Sequence, residues 1–320
     1  MHVRAFARAQ QAQHRYPQGV SRHRLHRGRM GSVQTLLICS TLLAFVAFML
    51  RWQLSSLNIR LVSLVREDLN SVRTDMRDLE LYSLQSFAPN VPQEVWKNGI
   101  DYEMNFWGEW LQTKGDKWPE DYTRRQDDAL PFLFEEYLKR NATNRVLNVG
   151  AGPLHGEGFW AHGAKIELFP IDPLAKQYIT LLRKHQVLPL VQSIEMKGEE
   201  IREVFAYESF DFVYSINALD HALSPLKCIT NMIAVLKSGC HLIIKVHPNE
   251  GENGGYVGFH QHNFNLGTTN QHLLLSGKHY GSIPLDLTVH FARVMKIDCW
   301  SGDPAKEHSK SVITCHGVKA

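Results

Sequence analysis

The chain has 320 residues, 44% of them hydrophobic, which is enough apolar content for one large domain or two modest ones. Its formal net charge of +3 is unevenly spread, because seven arginines and no acidic residue precede Ser32, and the rest carries 28 basic against 32 acidic residues. An acidic body lacks the basic face that binds nucleic acid, so we expect no nucleic-acid partner.

An uncharged segment follows the basic tail (residues 1–29). Residues 30–50 are nearly all apolar and are long enough to cross ~30 Å of hydrocarbon as a helix. They predict a single-pass transmembrane anchor, and the arginines predict a type II orientation, with a cytoplasmic tail and a lumenal or extracytoplasmic body. In a eukaryote the body would face the lumen of the Golgi or ER. The alternatives are a cleaved signal peptide, a buried helix, an organelle transit peptide, or a myristoylated start at Met30.

Two helical regions are expected between the anchor and residue 140. Residues 51–88 repeat apolar side chains at steps of three and four, which predicts a long amphipathic helix. It is either a coiled-coil stem that makes a homo-oligomer or a helix that lies on its own domain or on the membrane. Residues 89–140 hold four of the seven tryptophans and predict either an aromatic-rich helical cap over a pocket or a plain packing layer.

From residue 141 to 320, strand-like and helix-like runs alternate. Strand-like runs are "RVLNVG", "AKIELFPID", "VLPLVQ" (187–192), "FDFVYSIN" and "CHLIIKVHP", and a helix is expected from Leu223 to Gly239. This alternation predicts an α/β fold with a doubly wound, mostly parallel sheet. The last two extended runs, 284–300 and 311–318, have no helix between them, so they predict a C-terminal antiparallel hairpin.

The cysteines give no zinc-binding spacing. Besides Cys39, which lies in the apolar segment, they are Cys228, Cys240, Cys299 and Cys315. Free buried thiols are favoured over disulfides, although spacing alone does not decide between them.

Several segments carry a family resemblance when they are taken in order. They are "VLNVGAGP" (146–153), "IDPLA" (171–175), "VQSIE" (191–195), "FDFVYSINALDHALSP" (210–225) and "NMIAVLKSGCHLIIKV" (231–246). Together they resemble the class I S-adenosylmethionine-dependent methyltransferases, in particular the type 11-like domain. The resemblance implies a Rossmann-like, seven-stranded sheet and S-adenosyl-L-methionine as cofactor.

The same resemblance implies which residues bind the cofactor. Gly150 and Gly152 would let the backbone approach the methionine portion, and Asp172 would accept both ribose hydroxyls. The remaining predicted contacts are Asn148, Ser193, Ile194, Glu195 and Asn217, of which 193–195 would lie beside adenine. Two positions depart from the family pattern, because Asn148 stands where an acid is usual and Leu154 replaces a common glycine.

Histidines after the fourth and fifth strands are the candidates for catalysis. His221 is the first choice for a general base, with Asp220 or His247 as its neighbour. The polar, glycine-rich stretch from 247 to 264 is typical of a substrate loop. Its His-x-His spacing with Glu250 is weak evidence for a metal, and no metal site is predicted.

These observations predict a membrane-anchored methyltransferase that O-methylates a glycan or a small hydroxyl or carboxyl acceptor. The alternative is a non-catalytic protein on the same fold that assembles partners through its stem. A nicotinamide-dependent reductase is disfavoured, because "GAGPLH" lacks the third glycine of GxGxxG and the chain has no Tyr-x-x-x-Lys pair.

Overall fold

A computed structural model describes part of the chain: residues 46, 48–57, 59–60, 62–63, 91–116, 118–268, 271–302 and 312–320. It divides into two units, Met1–Asp75 and Met76–Ala320. The described residues of the first unit are helical. Over the described part of the chain, no helix combines the length and apolar character needed to cross a bilayer. The predicted basic tail, and most of the predicted anchor and stem, lie outside the described residues.

The second unit begins with helices and continues with alternating strands and helices. Its helices are α1 (Gln93–Gln112), α2 (Pro119–Arg124), α3 (Ala175–Lys184), α4 (Ile201–Val204), α5 (Pro225–Val235), α6 (Glu250–Asn253) and α7 (Leu287–His290). Its strands are β1 (Thr143–Val149), β2 (Lys165–Asp172), β3 (Ile194–Glu195), β4 (Phe210–Ile216), β5 (Leu236–Val246), β6 (His262–Leu266), β7 (Leu273–Gly277), β8 (Leu285–Asp286), β9 (Met295–Ser301) and β10 (Ile313–Lys319). Short 3₁₀ turns lie at Glu135–Tyr137, Gly198–Glu200 and Leu219–His221.

Seven strands form the main sheet, in the order β3-β2-β1-β4-β5-β10-β9. The pairs among β1 to β5 are parallel, whereas β10 runs antiparallel to both β5 and β9. The predicted mostly parallel, seven-stranded sheet with a C-terminal antiparallel hairpin is therefore confirmed.

The central strands of the main sheet and the helix α5 that packs on them are buried. Strands β1 and β4 lie at its centre and are buried along most of their length. Helix α5 begins at a Ser224 cap, whose hydroxyl accepts the N–H of Lys227, with Pro225 in the first turn. Almost every residue of α5 is buried against the sheet, so this helix contributes a large share of the apolar core.

Three local expectations were wrong. Residues 187–192 are not a strand. The strand that pairs with this edge of β2 is β3, whose two residues lie opposite Ile171 and Asp172. The helix expected to reach Gly239 ends at Val235, where Leu236 enters the sheet opposite Phe210. The run 284–300 is not one strand, since it contains β8, α7 and β9, and β8 joins β6 and β7 in a small second sheet.

The cysteine expectation needs a correction at one pair. Cys299 in β9 and Cys315 in β10 are directly paired across the hairpin and form a disulfide. Cys228 and Cys240 are buried free thiols, as favoured. Strand register decides this difference, and register is not visible in the spacing of cysteines along the sequence.

Candidate active site

The glycine turn after β1 lies against the end of β4. Gly150 has a φ of 74°, and a Cβ added there would lie 2.2 Å from the Cβ of Ala218. Gly152 has a φ of 64°, and its backbone N–H donates to Oδ2 of Asp172 over 2.9 Å. Both positions therefore need glycine, the first because of space and both because of backbone conformation.

Asp172 ends β2 beside that turn, and two backbone groups hold its carboxylate. Oδ2 accepts the N–H of Gly152, and Oδ1 accepts the N–H of Leu174 over 2.8 Å. A carboxylate has further lone pairs, so each oxygen can still accept a hydrogen bond from a ligand. Burial raises the pKa of Asp172 to about 6, and the N–H bonds from Leu174 and Gly152 oppose that rise.

A cavity of about 400 Å³ opens at this edge of the sheet. Its wall is formed by the glycine turn, by Asp172, by the end of β4 from Ser215 to Leu219, and by the segment Lys197–Glu199. It lies at the carboxyl ends of the parallel strands, which is where doubly wound sheets bind ligands. Its volume is in the range of small-molecule sites, which runs from roughly 300 to 1,000 Å³.

Helix α1 covers the cavity with aromatic side chains. Trp96, Trp107 and Trp110 contribute to the wall, and Trp96 also packs on Phe259 at 5.0 Å between ring centroids. The indole N–H of Trp107 donates to Glu103 over 2.8 Å, which fixes that ring above Gly152. Side chains of α1 thus both line the cavity and pack in a buried cluster with Phe259.

The cavity wall has an acidic excess. Among the described residues that line it, five are acidic (Glu103, Asp121, Glu157, Asp172 and Glu199) and two are basic (Arg125 and Lys197). Arg125 is paired with Asp121 over 2.8 Å. Such a wall favours a ligand with positive charge, and the sulfonium of S-adenosylmethionine carries one.

Five of the eight predicted cofactor contacts line the cavity: Asn148, Gly150, Gly152, Asp172 and Asn217. The other three do not belong to the described part of its wall. Ser193 donates to the carbonyl of Gly152 over 3.3 Å, Ile194 is exposed, and Glu195 forms a surface ion pair with Lys176. Because β3 lies further along the chain than predicted, the next residues, Lys197–Glu199, occupy the cavity wall instead.

The predicted catalytic residues Asp220 and His221 lie in a cluster with His260. His221 lines the cavity, and its Nε2 lies 3.2 Å from Nδ1 of His260. Oδ2 of Asp220 lies 2.7 Å from Nδ1 of His260 and 3.4 Å from Nε2 of His221. We refer to Asp220, His221 and His260 as the histidine–aspartate cluster.

Charges within the cluster shift two pKa values in opposite directions. Burial alone would raise the pKa of Asp220, but the nearby His221 and the hydrogen bond from His260 outweigh it, so the pKa is lowered. Burial alone would lower the pKa of His260, but the bond to Asp220 and the charges of Asp220 and Glu250 raise it. The carboxylate of Asp220 is therefore ionised at neutral pH.

His247, the third predicted catalytic residue, lines the same cavity without belonging to the cluster. His260, the third cluster member, is one of the histidines after the fourth and fifth strands that the sequence offers as candidate bases, although its contact with Asp220 was not predicted. The two histidines of that stretch do not act together, because His262 is buried and its Nε2 donates to the carbonyl of Ala222 over 2.8 Å.

Comparisons with known proteins bear on the fold and the enzyme class. Residues 147–244 match the family described as Methyltransferase domain, about a third of the chain. No curated protein matches. Similar solved structures include 1,6-didemethyltoxoflavin-N1-methyltransferase from Burkholderia thailandensis, with 14% identity, a TM-score of 0.38, and coverage of 73% of this chain and 92% of that one.

A second solved structure is a SAM-dependent methyltransferase from Aquifex aeolicus, with 15% identity, a TM-score of 0.32, and coverage of 57% of this chain and 85% of that one. With TM-scores this low, the sheet order and the domain match carry the assignment. They support the predicted enzyme class and cofactor: residues 147–244 match a methyltransferase domain, and the cofactor predicted for it is S-adenosyl-L-methionine.

Proposed function

We propose that this methyltransferase is anchored in a membrane and methylates a hydroxyl group of a glycan or of a small molecule. The observation that carries the proposal is the place of His221 on the cavity wall, in contact with a buried carboxylate and a second histidine. Hydroxyl acceptors need such a group, because they must lose a proton as the new O–C bond forms.

The residues of the glycine turn and β2 would hold the cofactor. The carboxylate of Asp172 lines the cavity and would accept the two ribose hydroxyls, and Gly150 and Gly152 would leave room for the methionine portion. When bound, the cofactor supplies an electrophilic methyl group on a positively charged sulfur. The acidic wall would stabilise that charge, and the aromatic side chains of α1 would cover the site.

The histidine–aspartate cluster would assist removal of the acceptor's proton. Asp220 is 1% exposed and is hydrogen-bonded to the ring of His260, which in turn lies 3.2 Å from Nε2 of His221 at the cavity wall. A carboxyl acceptor is less well supported than a hydroxyl, because it is already deprotonated at neutral pH and would meet a wall with an acidic excess.

The membrane, the stem and the topology are further parts of the proposal. Residues 30–50 carry no charge and the seven arginines precede them, which supports a type II single-pass protein with a lumenal or extracytoplasmic body. A stem at 51–88 would let two chains associate.

Protease added to sealed vesicles should leave the body intact, whereas digestion of the body without detergent would exclude this orientation.

Methyl transfer from labelled S-adenosylmethionine tests the proposed reaction. The purified full-length chain is offered glycans, small hydroxyl compounds and matched carboxylic acids. We expect label in the hydroxyl acceptors, and His221→Ala should lower kcat by ~10²–10⁴ while the affinity for S-adenosylhomocysteine stays unchanged. His316→Ala, which alters a histidine in the β5–β10 region, is the matched control.

Two results would exclude hydroxyl methylation. One is transfer to carboxylic acids alone, at a rate that His221→Ala does not change. The other is binding of the cofactor product with no transfer to any acceptor, which would favour the non-catalytic alternative.

A further inference from the structure

We infer that the histidine–aspartate cluster binds one divalent transition-metal ion at the acceptor end of the cavity. This inference deepens the proposed function and rests on it in one respect, namely that the acceptor is a hydroxyl. Neither the sequence pattern nor the domain match assigns a metal to this chain.

The spacing of three donor atoms carries the inference. Oδ2 of Asp220, Nε2 of His221 and Nδ1 of His260 are separated by 2.7, 3.2 and 3.4 Å. Ligand atoms that share a metal ion at ~2.0–2.2 Å are themselves about 2.8–3.1 Å apart in octahedral and about 3.3–3.6 Å apart in tetrahedral geometry. One ion can therefore touch all three atoms from one side of the triangle that they form, with side-chain adjustments of a few tenths of an ångström.

The ring nitrogen of His260 is aimed at the centre of the cluster. Nδ1 of His260 meets hydrogen-bond geometry both toward Oδ2 of Asp220 and toward Nε2 of His221. A single N–H on Nδ1 cannot satisfy the lone pair of the other ring and the carboxylate equally well. A cation at their meeting point would satisfy all three groups at once.

The burial of Asp220 supplies a second, independent observation. Its side chain is 2% exposed, and within the described part of the chain its Oδ1 has no hydrogen-bond partner. A buried carboxylate oxygen without a partner is costly, and a bound cation offsets that cost through its charge. Oδ1 is thus available to complete a bidentate carboxylate ligand.

The donor set selects the class of metal. Two imidazoles favour first-row transition ions, and the carboxylate is compatible with Mn²⁺, Fe²⁺ or Zn²⁺. Oε2 of Glu250 lies 3.5 Å from Nδ1 of His260, so it is close enough to hydrogen-bond to a metal-bound water or to become a fourth ligand. Because His221 lines the cavity, the open coordination positions would face the acceptor.

The ion would change the role of His221 from base to ligand. A hydroxyl oxygen bound to the metal has a lowered pKa, as metal-bound water does. His247, the other histidine of the cavity wall, would be the residue to accept its proton. The oxygen lone pair then forms the O–CH₃ bond as the S–CH₃ bond breaks, and S-adenosylhomocysteine leaves.

Titration of the full-length, metal-stripped chain with Co²⁺ tests the inference without any substrate. Visible absorption should show d–d bands that saturate at one ion per chain. His260→Gln keeps much of the side-chain volume, and Asp220→Asn keeps the shape of the carboxylate. Each should weaken Co²⁺ binding by ~100-fold or more.

His316→Ala is the matched control, because His316 lies 2.9 Å from His241 in a second histidine pair that is separate from the cavity wall. It should leave the spectrum unchanged. The inference is overturned if the wild-type chain does not bind Co²⁺, if His260→Gln binds it as well as wild type does, or if His316→Ala abolishes binding. Circular dichroism confirms that each variant is folded.

The two proposals fail in different ways. If chelators leave hydroxyl methylation intact and Co²⁺ does not bind, the metal inference falls and the proposed function stands. If Co²⁺ binds at the cluster but no hydroxyl acceptor is methylated, the proposed reaction falls and the metal site stands.

Discussion

At the residue scale, the cofactor end of the cavity depends on the Asp172 carboxylate. It lies within hydrogen-bond distance of two backbone N–H groups and forms part of the cavity wall. Burial favours the neutral form of the Asp172 carboxyl over the ionised form. The ionised form is the one that accepts hydrogen bonds from both ribose hydroxyls. The affinity for the cofactor should therefore depend on pH in an unusually high range for an aspartate.

The binding of S-adenosylhomocysteine should weaken as the pH falls below about 6, the pKa to which burial raises Asp172. Because only the ionised carboxylate accepts both hydroxyls, the dissociation constant should rise ~tenfold for each further pH unit. Calorimetry between pH 5 and 8 measures this, within the range where the chain stays folded. In Asp172→Asn the same titration should be flat, and an equally steep dependence in that variant would assign the effect to another group.

In the ligand-free protein, the contribution of Asp172 to the free energy of unfolding should decrease as the pH rises, whereas the affinity for the ligand increases. The pKa of Asp172 in the folded chain, about 6, lies above the ordinary value of 3.8, so the folded state binds the proton more tightly. The contribution of this group to the free energy of unfolding is therefore present at low pH and is lost as the pH rises through about 6.

Sequence reasoning placed residues at the cavity where the information was local in the sequence. The glycine turn and Asp172 could be found because a strand, a turn and an acid follow one another at a fixed spacing. The partnership of Asp220 with His260 could not, because 40 residues separate them and only the folded loop brings them together. Residues 193–195 were misplaced because β3 has only two residues and gives almost no periodic signal.

At the element scale, the C-terminal hairpin distinguishes this sheet from a purely parallel one. Its two strands were predictable, since no helical pattern lies between them. The disulfide was not, because it depends on Cys299 and Cys315 being opposite one another in the register of β9 and β10. The small sheet of β6, β7 and β8 was also missed, as its strands are short and lie within a loop-like composition.

Replacing both Cys299 and Cys315 by alanine should lower the free energy of unfolding by ~3 kcal/mol. The two cysteines are 16 residues apart, and closing a loop of that length restricts the unfolded chain by about this amount. Urea denaturation with and without reductant measures the difference. Reduced wild type should resemble the double variant, and equal midpoints for oxidised wild type and the variant would show that the bond contributes nothing.

At the scale of the whole molecule, the strongly basic segment and the cavity-lining residues lie in different parts of the chain. Seven arginines and no acidic residue lie in the first 29 residues, and the acidic excess lies in the rest of the chain, which holds the cavity. The sequence predicted the α/β class, the hairpin and the cofactor through pattern and resemblance. It did not predict the acidic excess of the cavity wall, because the lining residues come from segments far apart in the chain.

Calorimetry with S-adenosylhomocysteine on the full-length chain tests the central claim most directly. Wild type should bind in the micromolar range, and Asp172→Ala should weaken binding ~100-fold or more, since two charge-assisted hydrogen bonds are lost. Glu195→Gln is the matched control, because Glu195 is paired with Asp172 in the sheet but points its carboxylate at Lys176. It should bind as wild type does. No binding by wild type, or equal binding by Asp172→Ala, would contradict the account.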